Sequence, residues 1–244
     1  MLTKTVTYES DGVTLKGFLA YTTDARAKRP AVIIAHTWRG LDDFVRQKAQ
    51  DLASLGYIAF AADLFGDGVT AKNDEQAGKL IMPLFTNREK LRERIVAAYD
   101  VVRNHSLVDQ DSIGAIGFCF GGMTVIELLR SGVDLAGVVS FHGILGDTLG
   151  GQKANLAPNA DKINGSLLIL HGYKDPFVKP EDIARIQQEF SKAKVDWQMY
   201  IYGDAVHAFT NPLAKDEAGG MLYEPTAAMR SWQAMTNFFE EIFP

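Results

Sequence analysis

The chain opens with two stretches in which polar and apolar residues alternate, Thr3–Glu9 and Val13–Tyr21, separated by Asp11-Gly12. Alternation with a two-residue Asp-Gly break predicts a β-hairpin. After Pro30 the pattern changes to an unbroken apolar run, Ala31–Ala35, as expected of a strand covered on both faces of a parallel sheet. Helical spacing from about Leu41 to Leu55 ends at Gly56, and Tyr57–Ala61 reads as a second buried strand. Residues 63–83, interrupted by Gly66, Gly68 and Gly78, show no clean period and read as a long loop with a short helix. Long loops in compact domains are often functional. Helical spacing returns over 87–104. Further strands are expected at Ser112–Gly117, Leu135–Phe141, Ser166–His171 and Val195–Tyr202, and helices at Cys119–Arg130, Glu181–Lys192 and Glu224–Phe243.

A hairpin followed by alternating strands and helices predicts an α/β fold: a mostly parallel central sheet with helices on both faces. No linker or repeat divides the sequence, so residues 1–244 are read as one domain. At 47% hydrophobic and 23% charged residues, the composition is that of a globular protein rather than a disordered one. The formal charge of −5 argues against nucleic acid as partner. No apolar run is long enough for a membrane span. With no signal-peptide pattern and a lone cysteine, Cys119, the expected location is cytoplasmic.

In open α/β sheets the site lies beyond the carboxyl ends of the strands. Three groups fall there. Gly117-Phe118-Cys119-Phe120-Gly121-Gly122 joins a strand to a helix and has the form of a nucleophile elbow with cysteine in place of serine. The turn lifts the side chain onto a helix N-terminus, where N–H groups and the helix dipole favour an anion. Asp175 follows the strand ending at His171, and His207 follows the strand ending at Tyr202. Nucleophile, acid and histidine thus occur in the order such elbows require. Asp204 is an alternative acid. One oxyanion donor is expected at the Phe120 N–H and a second on the His36-to-Gly40 loop, at the Trp38 N–H. His36 and His142 are read as hydrogen-bonded structural residues, His171 as packing and His105 as exposed. The alternating run Arg88, Lys90, Arg92, Arg94 is read as a solvated helix face. Trp38, Phe85, Phe120 and Phe177 are candidates for an apolar pocket or for the core. No spacing suggests a metal site, and no cofactor is expected.

These motifs resemble the dienelactone hydrolase family of α/β-hydrolases. The likeness rests on the cysteine elbow, on Leu170-His171-Gly172 with Asp175, on Gly203–Phe209 with His207, and on Arg230-Ser231-Trp232 of the last helix. It implies the α/β-hydrolase fold, Cys119 as nucleophile, His207 as base and Asp175 as its orienting acid. It also implies a small ester or lactone as partner, cleaved through a thioester by a monomer or small homo-oligomer. Two features depart from the family pattern. Thr37 stands where the best-known members carry a glutamate that partners the resting thiol. Ala208–Pro212 lacks their arginine for a substrate carboxylate. Thr37, Arg39, Phe85 and Phe177 remain as candidate substrate contacts. Without the glutamate, Cys119 and His207 are expected to rest as an ion pair. An acyltransferase or thioesterase, or a non-catalytic binder, would fit the same residues.

Overall fold

The computed structural model describes residues 1–23, 27–155 and 162–244. In chain order, the first elements are β1 (Leu2–Ser10), β2 (Val13–Tyr21), β3 (Arg29–Ala35), α1 (Asp43–Ser54), β4 (Ile58–Ala62) and α2 (Asp74–Thr86). Then come α3 (Arg88–Arg103), β5 (Val108–Phe118), α4 (Phe120–Arg130), β6 (Gly137–Phe141), β7 (Thr148–Leu149) and β8 (Gln152–Lys153). The last elements are β9 (Ser166–Gly172), α5 (Pro180–Lys192), β10 (Trp197–Tyr202), β11 (Lys215–Asp216), β12 (Met221–Leu222) and α6 (Pro225–Ile242).

One eight-stranded sheet runs in the order β1-β2-β4-β3-β5-β6-β9-β10. The hairpin β1–β2 is antiparallel and docks antiparallel on β4. The strands from β4 to β10 are mutually parallel. The apolar run of β3 serves two cores because successive side chains point to opposite faces. Ala31, Ile33 and Ala35 pack on one side with residues of α2–α5, among them Ile81, Leu91, Leu128 and Ile186. Val32 and Ile34 pack on the other with Val45 and Leu52 of α1 and Phe238 and Phe239 of α6. Burying such a Leu or Ile fully contributes about 1.5–3 kcal/mol, so this pattern fixes the layers.

Two expectations are corrected. The segment 63–83, read as a long loop with a short helix, is a loop only to residue 73, and its helix is the longer, thirteen-residue α2 that continues to Thr86. Its buried residues Ala77, Ile81, Leu84 and Phe85 do follow helical spacing. Asn73 caps it by accepting from Gln76 N at 2.9 Å, and Gly78 and Pro83 obscure the period without breaking the helix. The basic run is not a solvated face. Arg88 and Arg94 are buried, and Arg92 pairs with the buried Glu127 at 2.7 Å. Arg88 donates to Gly146 O at 3.2 Å and stacks over Phe85, while Arg94 donates to Leu64 O at 2.6 Å. These arginines satisfy loop carbonyls that no ladder reaches, and so anchor two loops bordering the site. Burial lowers the Arg88 pKa to about 10, with nearby Glu127 opposing the shift.

Candidate active site

Cys119 sits between β5 and α4 with φ 58° and ψ −116°. Positive φ is costly for a side chain with a Cβ and persists only where surrounding structure enforces it. Here its N–H donates to Phe141 O at 3.1 Å, and its carbonyl accepts from Gly122 N at 3.0 Å. The flanking glycines are required by close approach. A Cβ on Gly117 would lie 1.9 Å from Gly121 O, and one on Gly121 would lie 2.1 Å from Ala35 O. The thiol is thereby held at the N-terminus of α4, whose first N–H groups lack intrahelical acceptors.

Asp175 and His207 come from the loops after β9 and β10. Parallel pairing of these strands in register, from Trp197↔Leu167 to Tyr202↔Gly172, brings the loops together. His207 Nδ1 donates to Asp175 Oδ2 at 2.7 Å, and Asp175 Oδ1 accepts from Phe177 N at 2.9 Å. The His207 backbone is clamped, donating to Gly220 O at 3.0 Å and accepting from Leu222 N at 3.2 Å. Both side chains are buried. Burial alone would disfavour the imidazolium. Electrostatic interaction with Cys119, hydrogen bonds with Asp175 and Cys119, and the charge of Asp175 outweigh it and raise the His207 pKa to about 10. Asp204, the alternative acid, is exposed and paired with Lys174 at 2.8 Å instead.

The other histidines stay neutral. His142 meets the His207 ring edge-on at 5.3 Å and bonds Thr210 Oγ1 at 2.8 Å through Nε2. Burial, then the charge on His207, push its pKa well down. Burial likewise lowers that of His171. His36 donates from Nδ1 to Thr37 O at 2.7 Å and accepts from Leu64 N at Nε2 at 3.2 Å, which fixes its tautomer and braces the loop carrying Trp38. His105, expected to be exposed, is half-buried: its ring stands edge-on to Tyr21 and its Nδ1 accepts from Leu107 N.

Two cavities meet at Cys119, His207, Trp38 and Met221. The first, of about 450 Å³, is mixed in character: Thr37, Arg39, Asp74, His142, Lys215 and Asp216 share its lining with Phe44 and Leu213. The second, of about 260 Å³, is bounded by Ile81, Met82, Ile144, Leu149 and Phe177. Of the candidate substrate contacts, Thr37, Arg39 and Phe177 therefore reach the site. Phe85 does not: it is fully buried in the core beneath Arg88. The Phe120 side chain is also core, stacked toward His36, so only its backbone can serve the site. Arg39 is ion-paired with Asp74 and lies over the Trp38 ring. Sequence reading missed Ile81, Met82, Leu149, Lys215 and Met221. The available signal was the length of the segments between regular elements.

The family model of the dienelactone hydrolase family matches residues 15–243. The chain belongs to the dienelactone hydrolase family. As a member it is a hydrolase of the ester and lactone class. The protein usf of Aquifex pyrophilus is 28% identical over 241 residues, covering 97% of each chain. Among solved structures, m3DLH superposes with a TM-score of 0.92 at 38% identity, covering 100% of this chain and 99% of its own. A dienelactone hydrolase-like promiscuous phosphotriesterase from metagenomic libraries gives the same TM-score at 36% identity and the same coverage. Among the described residues of this family member, no helix is long and apolar enough to cross a membrane.

Proposed function

We propose that the chain is a single-domain hydrolase that cleaves a small ester or lactone through Cys119, His207 and Asp175. The observation that carries this reading is the buried 2.7 Å His207–Asp175 bond beside a cysteine held at positive φ where two cavities join. Cys119 passes its proton to His207 Nε2, giving a thiolate–imidazolium pair. The thiolate attacks the carbonyl carbon, and the oxyanion is held by the N–H groups of Phe120 and Trp38. Collapse breaks the carbon–oxygen bond, and His207 Nε2 gives its proton to the departing alcohol. A thioester remains. Neutral His207 then takes a proton from water, hydroxide adds to the thioester, and the carboxylic acid leaves as the thiolate re-forms. Asp175 holds the Nδ1 proton throughout.

The ion pair is supported by Thr37, which lines the site without a charge that would oppose the thiolate; its hydroxyl accepts from Arg39 N at 3.2 Å. The Arg39 guanidinium already has a carboxylate partner in Asp74, which favours neutral substrates over carboxylated ones. The similarity to a phosphotriesterase makes neutral phosphotriesters reasonable secondary substrates to assay. Cys119→Ala should abolish ester hydrolysis while changing stability by less than about 2 kcal/mol. Mass spectrometry of the wild type mixed with a reactive phenyl ester should find the acyl group on Cys119. Retained hydrolysis in Cys119→Ala overturns the reading. A folded protein that never acquires an adduct and turns over no ester is a binder.

A further inference from the structure

We infer that the 260 Å³ cavity is an acyl pocket, so that the substrate is an ester joining a neutral hydrocarbon acyl group to a polar alcohol. The inference rests on the catalytic reading above and deepens it.

The nucleophile stands at the junction of a cavity that carries charged and polar groups among apolar ones and a cavity that is almost wholly apolar, and an ester has two arms. Apart from Cys119 and His207, the smaller cavity is bounded only by glycine, aliphatic, methionine and aromatic side chains. Apart from Trp38 and Met221, which the two cavities share, they come from four separate segments: α2 (Ile81, Met82), the residue Ile144 after β6, the end of β7 (Leu149) and the acid loop (Phe177). Such a pocket gains affinity from each methylene it removes from water, and it cannot compensate a buried carboxylate.

Chemistry assigns the arms. The departing alcohol must take its proton from His207, and the larger cavity is walled by the histidine's own loop through Ala208, Asn211, Lys215 and Asp216. The water that later cleaves the thioester also needs His207, and the larger cavity, which holds the polar groups, can admit it. The acyl arm stays bonded to sulfur during this exchange, so it needs a separate place, which the apolar cavity provides.

Gly78 offers a clean test. It lies on α2 at the rim of this cavity, and a Cβ added there meets nothing within 4 Å. Gly78→Leu therefore adds a side chain at the lining of the pocket with no clash at Cβ, and leucine suits a helix better than glycine. Leu149→Trp enlarges a side chain that lines the pocket from a different segment.

The experiment measures kcat/KM for p-nitrophenyl acetate, butyrate, hexanoate and octanoate, and for the p-nitrophenyl monoester of glutaric acid. In the wild type, each added methylene should raise kcat/KM roughly four-fold until the pocket fills. The charged glutarate ester should be roughly 100-fold slower than an uncharged ester of similar length. Gly78→Leu should lower the octanoate-to-acetate ratio at least ten-fold without loss of Tm, and Leu149→Trp should do the same. A flat wild-type series, or a slope that both variants leave intact, overturns the pocket assignment while hydrolysis still depends on Cys119. Absence of any Cys119-dependent hydrolysis overturns the catalytic reading, and this inference with it.

Discussion

Asp175→Asn replaces one oxygen by an NH₂ group, and the geometry specifies how that swap would act. The Asp175 carboxylate has two duties: Oδ1 accepts from Phe177 N at 2.9 Å, and Oδ2 accepts from His207 Nδ1 at 2.7 Å. An asparagine has only one oxygen to offer. If that oxygen faces His207, the NH₂ group is driven against the Phe177 N–H, two donors in a buried site. The lower-energy choice turns the oxygen to Phe177 and the NH₂ toward His207 Nδ1. That nitrogen must then accept, so the imidazole proton moves to Nε2, on the side of Cys119. A histidine in this tautomer cannot take a proton from the nucleophile or from water. The loss expected from a wrong tautomer and a missing imidazolium partner is about 10,000-fold in kcat/KM, or about 5 kcal/mol of transition-state stabilisation. The assay is steady-state hydrolysis of a p-nitrophenyl ester by wild type, Asp175→Asn and Asp204→Asn. Asp204 pairs with Lys174 at the surface, so its variant should remain within a few-fold of wild type. A loss below ten-fold in Asp175→Asn, or a larger loss in Asp204→Asn, would refute the assignment. Stability provides a second readout. The His207 pKa of about 10 lies above its ordinary value of 6.5. Its contribution is therefore complete below pH 6.5 and is lost as pH rises toward 10. The Tm advantage of wild type over Asp175→Asn should be greatest below pH 6.5 and should narrow toward pH 10.

Two further outcomes follow from the same geometry. Iodoacetamide should alkylate Cys119 at about pH 6–7, where an ordinary thiol is only about 3% ionised or less; Thr37→Glu should slow the reaction and His207→Ala should move its pH profile upward, whereas a profile that His207→Ala leaves in place would refute the resting ion pair. Gly121→Ala should cost about 3 kcal/mol or more and most of the activity, because its Cβ would lie 2.1 Å from Ala35 O and 2.6 Å from His36 O, both backbone atoms; chemical denaturation and ester turnover measure the two effects.

The alternation of Thr3–Glu9, the apolar run Ala31–Ala35 and the spacing Gly117-x-Cys119-x-Gly121 were legible in the chain because each reflects a local rule. Strand period, two-sided burial and close backbone approach at an elbow act over a few residues. The order Cys119, Asp175, His207 was legible for a related reason: each lies just past a strand of a parallel sheet, and such a sheet brings its carboxyl ends to one edge. What the sequence could not carry was the surroundings of individual side chains. Arg88 and Arg94 alternate with exposed glutamates, yet they are buried because distant carbonyls of Gly146 and Leu64 need donors. Phe85 and Phe177 look alike in sequence, but one lies beneath Arg88 in the core and the other meets the His207 ring at 4.8 Å. The two cavities are built from segments as far apart as α2, the β7–β8 hairpin and the β11–β12 pair, none of which carries a period or motif pointing to the others. Local chemistry is written in neighbouring residues. The volume and polarity of a pocket depend on which remote segments the packed sheet brings face to face, and only the tertiary structure decides that.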